Sequence, residues 1–307
     1  MMKDTFSNMH PFINFIFFAL TIGFTMFIMN PVCLAVSFLC ALVTALYLNG
    51  KKAVRLSLVF LLPMILLIVL VNPVFNHEGM TILTYFPWDN PLTLESIVYG
   101  IASAFLLSST VLWFSSFNAV ITSDKVVFLF GRIMPSLSLV ISMALRFVPR
   151  FSAQMKLVRN AQHTIGRDID EGSLFQRIRN AVKILSIMIT WSLENAIETA
   201  DSMKSRGHGL KGRTSYSLYK FDKRDAFMLC TILFTGLVLM ILLFTNAIKF
   251  RYYPSIKGDL FTVQSVIFYI FYTFLMLIPL SVNIGEGIKC ICFHFIPSPI
   301  FTDSGIN

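Results

Sequence analysis

The sequence predicts an all-α integral membrane protein with about six transmembrane helices and a further set of helices in the cytoplasm. Of its 307 residues, 56% are hydrophobic and only 13% are charged, whereas a soluble domain carries about 25% charged residues. Phe alone occurs 31 times, and a bilayer accepts apolar surface that a soluble fold of this size has no room to bury. The basic charge is concentrated in residues 146–225, which hold 15 of the 25 Lys and Arg.

Six apolar segments have the length of a membrane span, for which about 20 residues are needed. They are residues 12–29, 31–48, 56–75, 97–118, 226–248 and 262–282. The stretch 133–148 is too short and is predicted to be a helix packed at the interface or inside the protein. The predicted domains are therefore an N-terminal membrane domain (1–148), a cytoplasmic helical domain (149–225) and C-terminal membrane helices (226–307).

The orientation of the spans follows from the positions of Lys and Arg, which favour cytoplasmic loops. Lys51, Lys52 and Arg55 lie between the second and third spans, which places that loop inside. The loop 76–96 contains no Lys or Arg and is predicted to lie outside. The loop 249–261 disagrees, because it carries three basic residues and should face outward.

The basic segment has the pattern of two long helices. Its first part carries apolar residues at spacings of three and four, which form one stripe on a helix: Phe151, Met155, Val158, Ala161 and Ile165. Gly166 is the predicted end of this helix. A second helix is predicted after residues 171–173, with a middle that is apolar nearly all round and an end at Gly207. Such a middle is expected to be buried against other helices or to lie in the membrane interface.

The string Ser205-Arg206-Gly207 at the second helix end has the features of a docking tip. The small serine lets a partner's backbone approach, and the arginine presents a planar fork of five N–H donors suited to carboxylates and carbonyls. The glycine ends the helix and leaves the tip blunt. Taken alone, an Arg-Gly pair at a helix end is common and is weak evidence of a function.

The motifs that precede this string make its interpretation more specific. The chain contains Thr122-Ser123, then Ala144-Leu145-Arg146-Phe147-Val148-Pro149, then Ala161-Gln162, and then the Ser-Arg-Gly string, in that order. Together with the N-terminal hairpin, they resemble the transmembrane T component of energy-coupling-factor (ECF) transporters. These are ABC-type importers of vitamins and metal ions in prokaryotes, and the resemblance covers nearly the whole chain.

The resemblance implies a coupling function without catalysis. It implies that cytoplasmic coupling helices dock onto two ATPase subunits through two small-Arg-Gly tips, and that ATP binds only to those partners. It also implies a separate small substrate-binding membrane subunit, held by apolar helix surfaces, and a location in the prokaryotic cell membrane. Carried onto this chain, one tip is Ser205, Arg206 and Gly207. The other is Thr164, Gly166 and Arg167, with Ile165 where the family has Arg.

Arg146 and Pro149 lie at the predicted entrance to the cytoplasmic helices. Arg146 either extends its charge toward the interface, as basic residues at a membrane boundary do, or bonds exposed carbonyls at an elbow between membrane and cytoplasm. Pro149 is predicted at the first turn of the helix that follows, a position that tolerates proline.

Other functions find less support in the sequence. The five histidines and five cysteines show no metal spacing beyond a loose Cys290-x-Cys292-x-His294, and no phosphate-binding loop of the Gly-x-x-x-x-Gly-Lys type is present. The alternatives are a permease subunit of another ABC-type transporter, or an integral membrane lipid-modifying enzyme. The first would carry a Glu-Ala-Ala-type loop, and the second would need clustered Asp residues, of which only Asp168 and Asp170 form a pair.

Overall fold

The computed structural model is almost entirely helical, as the composition predicts. It describes residues 5–85, 91–167, 172–208, 210, 219, 221–245, 248, 250–258 and 261–295. In chain order, the described elements are α1 (Thr5–Asn8), α2 (Pro11–Phe27), α3 (Pro31–Asn49), α4 (Lys51–Leu56), a π-helical turn (Ser57–Leu61), α5 (Leu62–Phe75), β1 (Ile82–Tyr85), β2 (Pro91–Thr93), α6 (Leu94–Val120), α7 (Ser123–Ile133), α8 (Pro135–Thr164), α9 (Leu174–Ser205), α10 (Lys223–Phe244) and α11 (Val263–Phe295).

The chain divides into two compact units, the first comprising Met1–Lys125 with Tyr219–Asn307 and the second Val126–Leu218. Among the described residues of the first unit, five helices are long and apolar enough to cross a membrane: Pro31–Asn49, Lys51–Phe75, Leu94–Val120, Lys223–Phe244 and Val263–Ile284. The helix at the first predicted span, α2, is shorter, at 17 residues. The fold is thus an all-α membrane protein.

Local sequence signals determine where the first helices begin. Asn30 and Pro31 separate α2 from α3: the Asn30 Oδ1 atom accepts a hydrogen bond from the Val32 N–H at 3.0 Å, and proline occupies the first helical position. His10 and Pro11 start α2 in the same way. Proline is tolerated there because the first N–H groups of a helix have no partner within the helix. The link between α2 and α3 is therefore short, as expected for an N-terminal hairpin.

The core of the first unit combines aromatic rings with hydroxyl groups. The fully buried ring of Trp113 lies edge-on to Phe17 and Phe18, with centroids 6.1 and 6.4 Å away. Its indole N–H donates to Ser37 Oγ at 3.1 Å, and the Ser37 and Thr25 hydroxyls are 3.0 Å apart. Bonds of this kind satisfy polar groups inside an apolar environment and join α2, α3 and α6.

In the second unit, α8 is one continuous helix of 30 residues. The predicted break, with a short helix at 133–148 and a new helix beginning at Pro149, is wrong. Pro149 lies inside α8, where it removes one N–H and disturbs the turn before it. Apolar and helix-forming residues on both sides keep the helix intact, and Arg146 is an exposed residue in its middle. The predicted elbow at Arg146 and Pro149 therefore does not coincide with a break in α8.

The second long helix begins and ends where the sequence predicts. Ser173 and Gln176 form a reciprocal capping box, which satisfies two of the free N–H groups at the start of α9. The middle of α9 is buried only on one side, at Ile184, Met188 and Asn195. The prediction that this apolar middle is buried therefore holds for one face within the unit, and its other apolar side chains are exposed.

Candidate functional site

The predicted functional residues lie at the C-terminal ends of α8 and α9, and the end of α8 is called the first tip (residues 164–167). At this tip Gly166 has a positive φ of 70°. Its N–H donates to the His163 carbonyl at 2.9 Å, and the Arg167 N–H donates to the Gln162 carbonyl at 2.9 Å. This pair of bonds defines a Schellman motif, in which a left-handed residue closes the helix. The Thr164 hydroxyl completes the turn by donating to the Ala161 carbonyl at 2.7 Å.

The end of α9, called the second tip (residues 205–208), has the same geometry. Gly207 has a φ of 74° and its N–H donates to the Lys204 carbonyl at 2.9 Å. The His208 N–H donates to the Met203 carbonyl at 3.0 Å, and the Ser205 hydroxyl donates to the Ser202 carbonyl at 2.9 Å. Both tips are therefore closed by the same hydrogen bonds at the same relative positions.

This equivalence sets the register between the two tips. Ile165 and Arg206 are the respective C-cap residues, with φ of −93° and −83° and ψ of 5° and 10°. Arg167 occupies the position equivalent to His208. Ile165 therefore has the same backbone position in the first tip as Arg206 has in the second. Arg167 follows the glycine of its tip, whereas Arg206 precedes the glycine of the second tip. The two side chains therefore leave the backbone at different positions.

Most side chains of the two tips are exposed to solvent. Thr164, Arg167, Ser205 and Arg206 are all exposed, and Ile165 is 64% exposed. A helix C-terminus carries partial negative charge from its last carbonyls. At the second tip, Lys204 and Arg206 add positive charge beside these carbonyls. An exposed isoleucine at the first tip presents an apolar contact instead, so the two tips differ in chemistry although they share a backbone.

The two glycines differ in how much space surrounds them. A Cβ atom built on Gly207 would lie 3.0 Å from Leu210 Cδ1, whereas one built on Gly166 would have no atom within 4 Å. Both positions disfavour other residues because of the positive φ. At Gly207, the nearby Leu210 side chain adds a second restriction that Gly166 does not have.

A contact between α8 and α9 was not predicted from the sequence. The Trp191 ring lies 6.4 Å from the Phe151 ring, and the Arg150 guanidinium carbon lies 6.0 Å from the Trp191 centroid. Phe151 is 13 residues before Thr164 and Trp191 is 14 residues before Ser205, so at 1.5 Å per residue each tip lies about 20 Å along its helix from this contact. A tryptophan in an otherwise aliphatic segment was the available signal. Arg146 and Pro149 lie within one and a half turns N-terminal to it.

Apolar side chains on α8 and α9 remain exposed in this unit. On α9 they include Leu185, Ile189, Leu193 and Ile197, and on α8 Val140, Val148 and Leu157. Soluble surfaces rarely expose contiguous apolar patches of this kind unless a membrane or a protein covers them.

No group of three metal-ligating side chains occurs among the residues that the structure describes. The Cys290-x-Cys292-x-His294 string lies in α11, where the described structure is limited to the helical backbone. Asp168 and Asp170 lie outside the described residues.

Comparisons with known proteins agree with the sequence pattern. The model of the family described as CbiQ, cobalt transport protein, matches residues 3–216. The energy-coupling factor transporter transmembrane protein EcfT of Lactobacillus helveticus is 40% identical over 106 residues, which are 34% of this chain and 38% of that protein. The protein of the same name from Streptococcus thermophilus is 33% identical over 138 residues, 45% of this chain and 52% of that protein. That of Lacticaseibacillus paracasei is 29% identical over 181 residues, 58% of this chain and 69% of that protein.

Proposed function

Because the chain belongs to the CbiQ family of cobalt transport proteins, we propose that it is the transmembrane coupling subunit of an energy-coupling-factor importer. In this function it transmits ATP-driven motion of two ATPase subunits to a separate substrate-binding membrane subunit. Its place is the cell membrane of a prokaryote, with the tips in the cytoplasm. The observation that carries the proposal is the pair of identically closed helix ends.

The paired tips support docking onto two related partners. Two helices that end in the same Schellman geometry present the same backbone surface to each partner, as two homologous ATPases would require. Arg206 supplies a charged anchor at the second tip, and arginine is enriched among the residues that dominate binding energy at interfaces. The first tip offers Ile165 in that position, so the two ATPase contacts are expected to differ in strength.

The exposed apolar faces of α8 and α9 support contact with a further membrane partner. The chain is basic in the same region, with 15 of its 25 Lys and Arg in residues 146–225. Basic residues near a cytoplasmic membrane surface interact favourably with anionic lipid headgroups. We propose that the apolar faces hold the substrate-binding subunit while the basic side chains face lipid headgroups or an acidic ATPase surface.

The energy for transport is proposed to come from the ATPases, and the chain itself to be non-catalytic. The interiors of the first four predicted spans contain no Asp, Glu, Lys or Arg, whereas proton-coupled carriers usually keep ionisable groups within the membrane. The relatives are named as ECF components, which favours neither an ordinary ABC permease nor a lipid-modifying enzyme.

The experiment is purification and reconstitution. A tagged chain, solubilised gently, is expected to bring with it two ATPase subunits and one small hydrophobic membrane protein. Vesicles containing all four are expected to take up solute with ATP. Vesicles in which the ATPases carry a substitution of the phosphate-binding lysine serve as the control. ATP hydrolysis or solute uptake by the purified chain alone would contradict the proposal.

A further inference from the structure

Lys125 is a buried lysine at the point where the first unit ends, and it lies in the first turn of α7. Its side chain is only 6% exposed. The Lys125 Nζ donates to the Val120 carbonyl at 2.7 Å, to the Ser7 Oγ at 3.3 Å, and also to the Ser7 carbonyl. An ammonium group has three N–H donors, so this one side chain ties the last carbonyl of α6 to the N-terminal helix α1.

The helix α1 is itself held on two other sides. The Phe6 N–H donates to Asn283 Oδ1 of α11 at 3.0 Å, and the buried Phe6 ring lies edge-on to Phe17 of α2, with centroids 5.4 Å apart. The Ser7 carbonyl also accepts from Asn14 Nδ2 at 3.5 Å. A helix of four residues is too short to be stable by itself, so these contacts hold it in place. Through Lys125 they connect α2, α6 and α11 at one position.

The returning chain passes the same position. The chain passes from the first unit to the second at residues 125–126 and returns at residues 218–219. After this return, the Phe221 ring lies 5.3 Å from the His10 ring, next to α1. Partial burial, and to a smaller extent the negative charge of Asp124, raise the pKa of Tyr219. Asp124 and Tyr219 are thus close together, and both connections start beside α1.

We propose that Lys125 is a positioning residue that fixes both connections to α1 and α6, so that motion of the second unit moves the membrane helices. This rests on the proposed coupling function. A connection between the two units transmits a displacement only if the residues that anchor it stay in place. The Val120 carbonyl is one of the four at the end of α6 without a partner in the helix, and a cation there is favoured by the helix dipole. Without the ammonium, the Ser7 and Val120 carbonyls lose a buried charged donor, and the link from α1 through Lys125 to α6 is lost.

The test uses the full chain assembled with its partner subunits and three variants. Lys125→Met keeps the length and apolar stem of the side chain but removes every donor. Lys125→Gln keeps an N–H donor without the charge. Lys52→Met is the matched control, because Lys52 is an exposed lysine on the same predicted side of the membrane. All are compared at equal membrane levels.

Two quantities are measured for each variant: solute taken up per ATP hydrolysed, and hydrogen exchange of the backbone amides of residues 5–10. For Lys125→Met, uptake per ATP is expected to fall about ten-fold while ATP hydrolysis persists, and amide exchange at residues 5–10 to rise about ten-fold, as for a segment that opens locally. Lys125→Gln is expected to lie between Lys125→Met and the wild type, and Lys52→Met to match the wild type. A merely structural role for Lys125 would lower the amount of complex without changing uptake per ATP.

Wild-type uptake per ATP and wild-type amide exchange in Lys125→Met would overturn the inference while leaving the coupling function intact. If Lys125→Met does not accumulate, the same two measurements on Lys125→Gln decide, and unchanged values there overturn the inference equally. If the wild-type complex itself shows no ATP-dependent uptake, the proposed function fails and the positioning role fails with it. The amide exchange then still reports whether Lys125 holds α1.

Discussion

Reversing the charge of Arg206 is expected to abolish ATP-driven uptake without unfolding the second tip. Arg206 is exposed, and its contribution to the helix end is its backbone N–H, which donates to the Ser202 carbonyl at 3.3 Å. Arg206→Glu leaves that bond and the positive φ of Gly207 unchanged. The effect of the substitution is therefore expected at the proposed ATPase interface and not in the fold.

The expected loss of affinity follows from the contact that Arg206 provides at the second tip. Loss of a buried arginine anchor at an interface costs about 2–4 kcal/mol, which weakens the contact by roughly 30- to 1,000-fold at about 1.4 kcal/mol per decade. A glutamate at a helix C-terminus adds an unfavourable term of about 0.3–1 kcal/mol with the helix dipole. Some complex is still expected to co-purify, because a second ATPase contact raises the effective concentration of the first.

Arg167→Glu is the matched control for this prediction. It reverses the same charge at the end of an identically closed helix, so it reproduces the helix-dipole term without touching the C-cap position. Its effect on uptake is expected to be smaller than that of Arg206→Glu. In a reciprocal variant, Ile165→Arg places arginine at the equivalent C-cap position and is expected to strengthen the first ATPase contact by about ten-fold.

The assay is uptake into vesicles together with the amount of each ATPase that co-purifies, at matched levels of the membrane subunit. Normal uptake in Arg206→Glu would show that the second tip does not transmit force. Equal losses in Arg206→Glu and Arg167→Glu would show that charge near any helix end matters and that the C-cap position has no special role.

Three further predictions concern the tips, the α8–α9 contact and the topology. Gly207→Ala is expected to destabilise the second tip by about 1–2 kcal/mol because of its positive φ, and by more than Gly166→Ala destabilises the first, as measured by hydrogen exchange of the last-turn amides. Trp191→Ala is expected to remove aromatic and cation–π contacts worth about 1–2 kcal/mol and to reduce uptake, which Trp191→Phe largely restores. A cysteine at position 85 is expected to react with an impermeant maleimide only from outside, and one at position 170 only from inside.

Each of these has an outcome that would count against it. Equal exchange in the two glycine variants would mean that the close approach to Leu210 has no energetic effect. Full uptake in Trp191→Ala would show that the contact with Phe151 is not needed for coupling. Labelling of position 170 from outside would reverse the orientation of the whole chain.

The amino-acid sequence by itself determined the class of the protein, the C-terminal ends of α8 and α9, and the start of α9. Membrane insertion follows from composition and from segments of about 20 apolar residues, which need no knowledge of packing. Gly166, Gly207 and Ser173 mark helix ends because capping is local. Each glycine N–H bonds a carbonyl three positions back, the next residue bonds one five positions back, and the serine pairs with a residue three positions ahead. For the same reason, the sequence alone showed that both helices end at a glycine.

Only the tertiary structure decided the features that depend on distant residues. Whether a proline breaks a helix depends on the turns around it, and α8 continues through Pro149 because the rest of its hydrogen bonds remain. Trp191 and Phe151 are 40 positions apart in the chain, and Lys125 and Ser7 are 118 apart. No local pattern specifies which of many lysines is buried, since that depends on which carbonyls the packed helices leave unsatisfied.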